Sequence, residues 1–441
     1  MQEIVLNMVS SQTTQLWTLA EDANEYERMH NLFSGKLKSV LNDEKISSAL
    51  REKTAISLGG EELVFALHDP CDIRKPYAKK LDNIGRVRDL DGKMINGYST
   101  LGTVCLSSDG QDLHFSDISV FSNGDKEHYV LQTELDAVVK KQAQAKKKQE
   151  VASLTKREKE IVELLESEEY VNLRKVVHTQ LQRVSEELKK ENKTLKICHV
   201  LDRQMDGVPY FSFIDEELED LFVIRLKISR NSNEIIVNEE GKEVAIKLKE
   251  VSLPHKHVEV IAKVRLNKKV YQDVTRLIEW GVLKLEGKVY SVVRIILLNR
   301  EGKEIFLQPM LLITNLPVKK AKDAVETYLI YLKRAKIEGV FKFVKNALGW
   351  EEFQVHDWES IKNIIALAFF IGGYFYEIEP ELANNPVILW LCQLGGGKGK
   401  ITRHYFFEGL RNLLVHQQVE RFREKTRLKS DEWSDIMEFA L

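Results

Sequence analysis

Three stretches of the sequence carry carboxylates beside cations. In "ALHDPCDIRKPYAKK", residues 66–80, the apolar run Leu63 to Leu67 ends in His68 and Asp69; Asp72 follows, then Arg74, Lys75, Lys79 and Lys80. "LKICHVLD", residues 195–202, is a second apolar strand that ends in aspartate, with Asp206 just beyond it. "YLKRAKIEGVFKFVK" holds Tyr331, Arg334, Glu338 and Lys345. On one continuous helix those four fall within about 60° of arc, beside an apolar stripe of Ile330, Ile337, Phe341, Val344 and Leu348. One carboxylate, two cations and a phenol would then line the rim of a buried face. Carboxylates and cations so placed can hold a metal ion and a phosphate chain. The same residue types also make a solvated turn and an ordinary Arg–Glu pair at i, i+4, worth about 0.3–0.5 kcal/mol.

The elements that must position these residues alternate unevenly. Residues 1–60 read as a polar helical region and 61–70 as a strand. Residues 101–121 read as two strands joined at Asp109–Gly110, completing an antiparallel meander. Residues 126–193 read as long charged helices; "KKQAQAKKKQE" within them is a solvated helix or linker, or an arm facing DNA. Strands at 195–202 and 221–230 follow. Residues 234–314 read as a β block with turns at Glu240–Gly241 and Glu301–Gly302 and one helix, 268–280. From Val318 the chain reads as helical. Its longest apolar run, Ile364–Tyr376, is broken by Gly372–Gly373 and too short for a bilayer, which makes it a buried core helix.

Composition narrows the classes. A chain of 441 residues can build a large core and two or three structural units, and 43% apolar with 30% charged residues is an ordinary globular balance. The formal net charge is −2, so a polyanion must be met by local patches. Cys71, Cys105, Cys198 and Cys392 show no C-x-x-C spacing, which fits a reducing compartment and argues against zinc or disulfides. The start lacks a secretory signal pattern. "LGGGKGKIT", residues 394–402, resembles a phosphate loop but fails the pattern at Leu394 and Ile401, so no nucleotide cofactor is expected. His255 and His257, in an expected loop, are poor candidates for metal.

The spacing Y-(2)-R-(3)-E-(6)-K resembles the third catalytic motif of bacterial insertion-sequence DDE transposases of the YREK group. "LLITNLPV" resembles the strand before that motif, and "NALGWEEFQVHDWESIKNIIALAFF" the stretch after it. "HDPCDIRKPYAKK" resembles the first motif and "HVLDRQMD" the second, with "FVIRLKISR" following at the usual distance. The likeness spans about residues 61–376. It departs at Gln204, where Gly is common, at Ala335, where Trp is common, and at Cys71, where Thr is common; the short N-terminal region suggests a reduced end-recognition domain.

The resemblance implies an α/β fold: an RNase H-like mixed sheet with flanking helices, a β-rich insertion before the third acidic residue, and helical N- and C-terminal regions. The implied division is 1–60, 61–230, 231–317, 318–380 and 381–441. It implies a catalytic and metal-binding set of Asp69, Asp202 and Glu338, with Mg²⁺ (Mn²⁺ as substitute) as cofactor. Asp72, in the expected turn, is the weaker rival to Asp69. Tyr331, Arg334 and Lys345 would hold transposon-end phosphates. Arg74, Lys75, Lys79, Lys80, Arg86 and Arg88 would track the DNA backbone. Trp280 is either a wedge for a flipped base or a packing residue. The implied activity is cleavage of insertion-sequence ends and their joining to target DNA. The partners would be double-stranded DNA and a second copy in a synaptic homodimer, with no membrane, in the bacterial cytoplasm at the nucleoid. The alternative is a decayed or repurposed transposase that binds DNA without cutting it.

Overall fold

The computed structural model describes residues 2–20, 22–37, 40–122, 126–145, 148–166, 173–227, 233–237, 243–247, 253–266, 269–285, 287–306, 308–377 and 385–426. The strands are β1 (Leu63–Arg74), β2 (Gly85–Arg88), β3 (Met94–Leu106), β4 (Leu113–Phe121), β5 (Lys196–Leu201), β6 (Leu221–Arg225), β7 (Asn233–Val237), β8 (Glu243–Lys247), β9 (His255–Leu266), β10 (Lys269–Leu285), β11 (Lys288–Leu298) and β12 (Met310–Thr314). Early helices are α1 (Gln2–Ser11), α2 (Leu16–Leu19), α3 (Ala23–Phe33), α4 (Asp43–Leu58), α5 (Lys126–Gln144), α6 (Lys148–Glu166) and α7 (Leu173–Glu191). Later ones are α8 (Val208–Ser212), α9 (Ala321–Leu332), α10 (Ala335–Leu348), α11 (Trp358–Glu377), α12 (Pro386–Leu394) and α13 (Arg403–Thr426). The protein is α/β, and among the described residues no helix is long and apolar enough to cross a membrane.

The chain forms two compact units built from non-contiguous stretches. One comprises residues 47–72 and 84–339, the other 1–46, 73–83 and 340–441. The larger unit holds a mixed sheet in the order β2-β3-β1-β5-β6-β12-β11-β10-β7-β8, with β4 on β3 and β9 on β10. β1, β5 and β6 run parallel; β12 turns antiparallel against β6. Val64 to Asp69 are buried without a break, as a central parallel strand covered on both faces must be. Ala55 and Leu58 of α4 and Val184 and Leu188 of α7 pack with Val64, Ala66 and Ile197 on one face. The β3–β4 hairpin turns at Asp109–Gly110, where Gly110 takes φ 76°, a conformation glycine adopts without strain. α5 and α6 pack through Val138, Ile161, Leu135 and Leu154, and Arg157 meets Glu134 at 2.9 Å.

Several expectations change. The expected helix 268–280 is a strand: from Lys269 to Trp280 the chain is part of β10 and pairs with β9, and Lys268 lies outside the described residues. Val270, Val274 and Ile278 have helix-like spacing, but burial falls on Val274, Arg276, Ile278 and Trp280, the period of two that a partner strand imposes, with Glu279 buried besides and bonded by Arg294. His255 and His257 lie on β9, not in a loop. Asp72 lies within β1, not in a turn: its carboxylate accepts from the Arg88 backbone N–H at 3.2 Å and the Ser99 hydroxyl at 3.3 Å. The third motif does not ride on one helix, because α9 ends at Leu332 and α10 starts at Ala335. Between them Arg334 N bonds Tyr331 O at 3.1 Å and Ile337 N bonds Arg334 O at 3.1 Å, so the chain tightens to i→i+3 bonding there. The Glu240–Gly241 turn and Lys146–Lys147 lie outside the described residues.

Candidate active site

In the larger unit the register of the parallel strands does the first part of the positioning. β1 pairs with β5 with Leu67 opposite Val200. Continuing that register by two residues sets Asp69 opposite Asp202, and both alternate onto the face of Leu67 and Val200. Asp202 follows the last residue of β5, whereas Asp69 lies within β1, which runs on to Arg74. Asp69 is buried, at 8% exposure. Asp202 caps the short turn Arg203–Met205 by accepting from the Gln204 backbone N–H.

Glu338 sits in the first turn of α10, with its side chain 56% exposed. Arg334 joins it to Asp69. One guanidinium nitrogen, Nη1, donates to Asp69 Oδ1 at 2.6 Å, and Nη2 donates to Glu338 Oε1. Asp202 also lies within the electrostatic reach of both Asp69 and Arg334. Burial raises the Asp69 carboxyl to about 7; the Arg334 charge opposes the rise, and Asp202 and Glu338 add to it. Tyr331 is buried beside Arg225, Arg334 and Asp202, and burial raises its phenol above the ordinary value. Arg225, at the end of β6, hydrogen-bonds that phenol. It escaped the reading of the sequence, although its place at the end of a strand parallel to β1 and β5 marks it.

A second constellation lies on the opposite face. His68 Nδ1 meets Thr103 Oγ1 at 2.7 Å, His68 Nε2 meets His199 Nδ1 at 2.9 Å, and His199 Nε2 meets Asp220 Oδ2 at 3.1 Å. Gln180 donates to Thr103 at 2.7 Å; Ser185 donates to Asp220 at 2.6 Å, and Lys189 pairs with it at 2.8 Å. One proton arrangement orders the chain: Thr103 donates to His68, His68 to His199, and His199 to the Asp220 carboxylate. Burial, with His199 adding to it, holds His68 well below its ordinary value and so keeps it neutral. Burial pushes Asp220 up, but its hydrogen bond from His199 and the pull of Lys189 more than offset this, and the group stays ionised. Two histidines inside apolar strands, one just before Asp69 and one three residues before Asp202, were the available signal.

In the smaller unit the basic residues are largely committed. Arg74 and Lys345 share Glu351: the Arg74 backbone N–H reaches Oε1 at 3.1 Å, its Nε at 3.4 Å, and Lys345 Nζ at 2.9 Å. Lys75 donates to the Phe353 carbonyl and lies 3.8 Å from that ring's centre. Burial brings its ammonium down to about 8. Lys79 and Lys80 are exposed. In the larger unit Arg86 and Arg88 are exposed, but each guanidinium donates to a neighbouring backbone carbonyl, of Met94 and Gly92. Trp280 is 6% exposed and packs against His255 at 5.5 Å, so it is a buried residue of the sheet.

The glycine-rich stretch has a packing cause. A Cβ on Gly395 would stand 2.0 Å from the Tyr405 carbonyl oxygen, and one on Gly409 only 1.7 Å from that of Leu391. These glycines let the backbones of α12 and α13 touch, which accounts for them without a phosphate. Among the described residues no three His, Cys, Asp or Glu side chains stand together as a ready-made metal cluster. No protein-family model matches the chain, and no curated protein matches it.

Proposed function

We propose that this protein is a DDE-type DNA transposase that cleaves insertion-sequence ends and joins them to target DNA by metal-dependent phosphoryl transfer. The observation that carries the reading is the grouping of Asp69, Asp202 and Glu338 around Arg334, from the middle of β1, the end of its parallel neighbour β5 and one helix. The strand order β4-β3-β1-β5-β6, with its parallel trio beside an antiparallel hairpin, agrees with an RNase H-like core. The strands β7 to β12 fall in sequence where the insertion before the third acidic residue is expected.

The donor chemistry suits a hard divalent cation. The acidic ligands are oxygens only, and the charges of Asp202 and Glu338 add to the rise that burial gives Asp69. Asp69, Asp202 and Glu338 would hold Mg²⁺ or Mn²⁺, which when bound stabilises charge on the phosphate and acidifies water. The chain's own residues orient the substrate. A guanidinium fork such as Arg334's matches phosphate as well as carboxylate, so its remaining N–H groups suit a phosphate oxygen of the DNA end. Asp69 and Glu338 hold its direction, and the Tyr331 ring, whose phenol Arg225 bonds, lies 6.0 Å from it. Lys79 and Lys80 offer exposed charge to the backbone of the duplex. In the proposed synaptic complex two copies each hold one end.

The test is nicking of a labelled end fragment in Mg²⁺. Glu338→Gln should keep the fold, since the side chain is more than half exposed, and lose at least about 10³-fold in cleavage. Glu326→Gln, on an exposed position of α9, should cut like wild type. Wild-type cutting by Glu338→Gln would remove the DDE reading.

A further inference from the structure

The long hairpin β9–β10 outruns the sheet that carries it. β10 pairs with β11 only from Thr275 onward, where Thr275 faces Leu298. Residues 261–266 and 269–274 pair only with each other, from Ile261 opposite Val274 to Leu266 opposite Lys269. At about 3.3 Å per residue this two-stranded ribbon extends roughly 20 Å. Both of its faces meet solvent. Val270, on the face of Lys263 and Arg265, is 50% exposed, and Val260, on the other face at its root, is 67% exposed. Val274, where the sheet begins, is fully buried.

The charge on the ribbon differs from the rest of the chain. Its sequence, "IAKVRLNKKVYQDV", has Lys263, Arg265, Lys268 and Lys269 against one carboxylate, Asp273, in a chain of net charge −2. Lys263, Arg265 and Lys269 are exposed, and among the described residues none of them is ion-paired. Register places Lys263 and Arg265 on one face, opposite Gln272 and Val270, while Lys269 shares the other face with Tyr271. A free edge of this length is ordinarily blunted or covered; here it is narrow and basic on both faces, and among the described residues no strand beyond its own partner pairs with it.

We propose that the β9–β10 ribbon is a DNA-binding arm that enters the major groove of duplex DNA. That groove, about 12 Å wide and 8.5 Å deep, admits a two-stranded β-ribbon, and cations on both faces would meet the phosphates of both groove walls. Gln272 and Tyr271 lie between those cations and are the side chains placed to reach base edges. The inference rests on the DNA reading above but uses residues remote in sequence from the acidic set.

The experiment compares wild type with Lys263→Ala/Arg265→Ala/Lys269→Ala on a 30-base-pair duplex, with Lys256→Ala as a control on the sheet-bound part of β9. The triple variant should bind at least tenfold more weakly near 0.1 M salt, with the salt slope lower by up to about 2.7, at roughly 0.9 per phosphate contact. Wild type should protect guanine N7 from dimethyl sulfate, and the triple variant should lose that protection. An unchanged slope, or N7 protection that survives the substitutions, overturns the arm. So does an equal loss of heparin binding with no N7 protection in wild type, which would make the ribbon a general polyanion patch. Glu338→Gln run alongside separates the two claims: if it still cuts DNA while the triple variant loses N7 protection, the chemistry falls and the arm stands. If wild type binds no duplex DNA, both fall.

Discussion

Replacing Asp69 with Asn tests whether burial or Arg334 governs the site. Asn keeps the size of the side chain and an oxygen for the Arg334 Nη1 hydrogen bond at 2.6 Å, but it cannot ionise. In the folded wild type burial lifts the Asp69 carboxyl from about 3.8 to about 7. The folded chain therefore holds a proton that the unfolded chain has released, over the window from about pH 4 to 7. A state that binds more protons is favoured by acid, so this group's contribution is most favourable below pH 4. It declines as pH rises to 7 and is level above that. At about 1.4 kcal/mol per tenfold, the full decline is at most about 4 kcal/mol.

Asp69→Asn lacks that decline, so it should gain on wild type by up to about 4 kcal/mol between pH 4 and pH 8. Buried histidines act with the opposite sign. Burial holds His178 at about 4, with Arg174 adding to the effect, so its contribution is lost as pH falls through the ordinary histidine range. His178 is present in both proteins, and the difference between them isolates Asp69. A chain with two compact units need not unfold in one step, so the measurement should be local. Amide exchange of the β1 and β5 peptides, in EDTA at pH 4.5 to 8.5, reports the opening free energy of this sheet. If wild type and Asp69→Asn keep a constant difference over that range, the carboxylate is ionised throughout. Arg334 would then outweigh burial.

Three further outcomes follow from the packing. Gly409→Ala should destabilise the smaller unit by about 1–3 kcal/mol or more in urea, because the added methyl meets the Leu391 carbonyl; an unchanged midpoint would restore the loop to candidacy as a phosphate site. Asp220→Ala should lower the stability of the larger unit by about 3–5 kcal/mol, since it strips the partner from buried His199 and from Lys189; a loss under 1 kcal/mol would mean the network is not held by that carboxylate. Lys75→Ala should cost the smaller unit about 2 kcal/mol through lost contact with Phe353, whereas Lys79→Ala/Lys80→Ala should leave stability alone and lower the salt slope of DNA binding by up to about 1.8; equal behaviour of all three lysines would contradict this division.

The two aspartates were legible because the rule behind them is local. An apolar run that stops at a carboxylate leaves that carboxylate held by the packed strand before it, and both "LVFALHD" and "LKICHVLD" have this form, although β5 ends there and β1 runs on to Arg74. Of the partners of the motif residues the Arg334–Glu338 pair at i, i+4 was legible and the others were not, for two separate reasons. The helical wheel assumed an unbroken helix, and a single tightened turn at Lys333–Arg334 changes where everything after it points. Cations in a sequence also carry no sign of their partners: Glu351, which binds both Arg74 and Lys345, lies hundreds of residues from the first and six from the second. The helix expected at 268–280 failed because strand and helix patterns overlap for a sparse set of apolar residues. The pairing with β9 decided it, through contacts that no local window contains.

His68 and Asp69 are neighbours in sequence and do opposite work. Successive side chains of a strand point to opposite faces, so this dipeptide divides its polar groups across the sheet. Asp69 faces Arg334. His68 faces α7, where the chain of hydrogen bonds runs through Thr103 of β3, His199 of β5 and Asp220 just before β6. That chain crosses the strands one residue before Asp69 on β1 and three before Asp202 at the end of β5. A slip of one residue between β1 and β5 would turn His68 away from His199 and leave buried polar atoms unpaired, at about 1–3 kcal/mol each. It would also turn Asp69 away from Asp202. The buried histidines and the candidate site are therefore bound to a single register, and any sequence change that frees one frees the other.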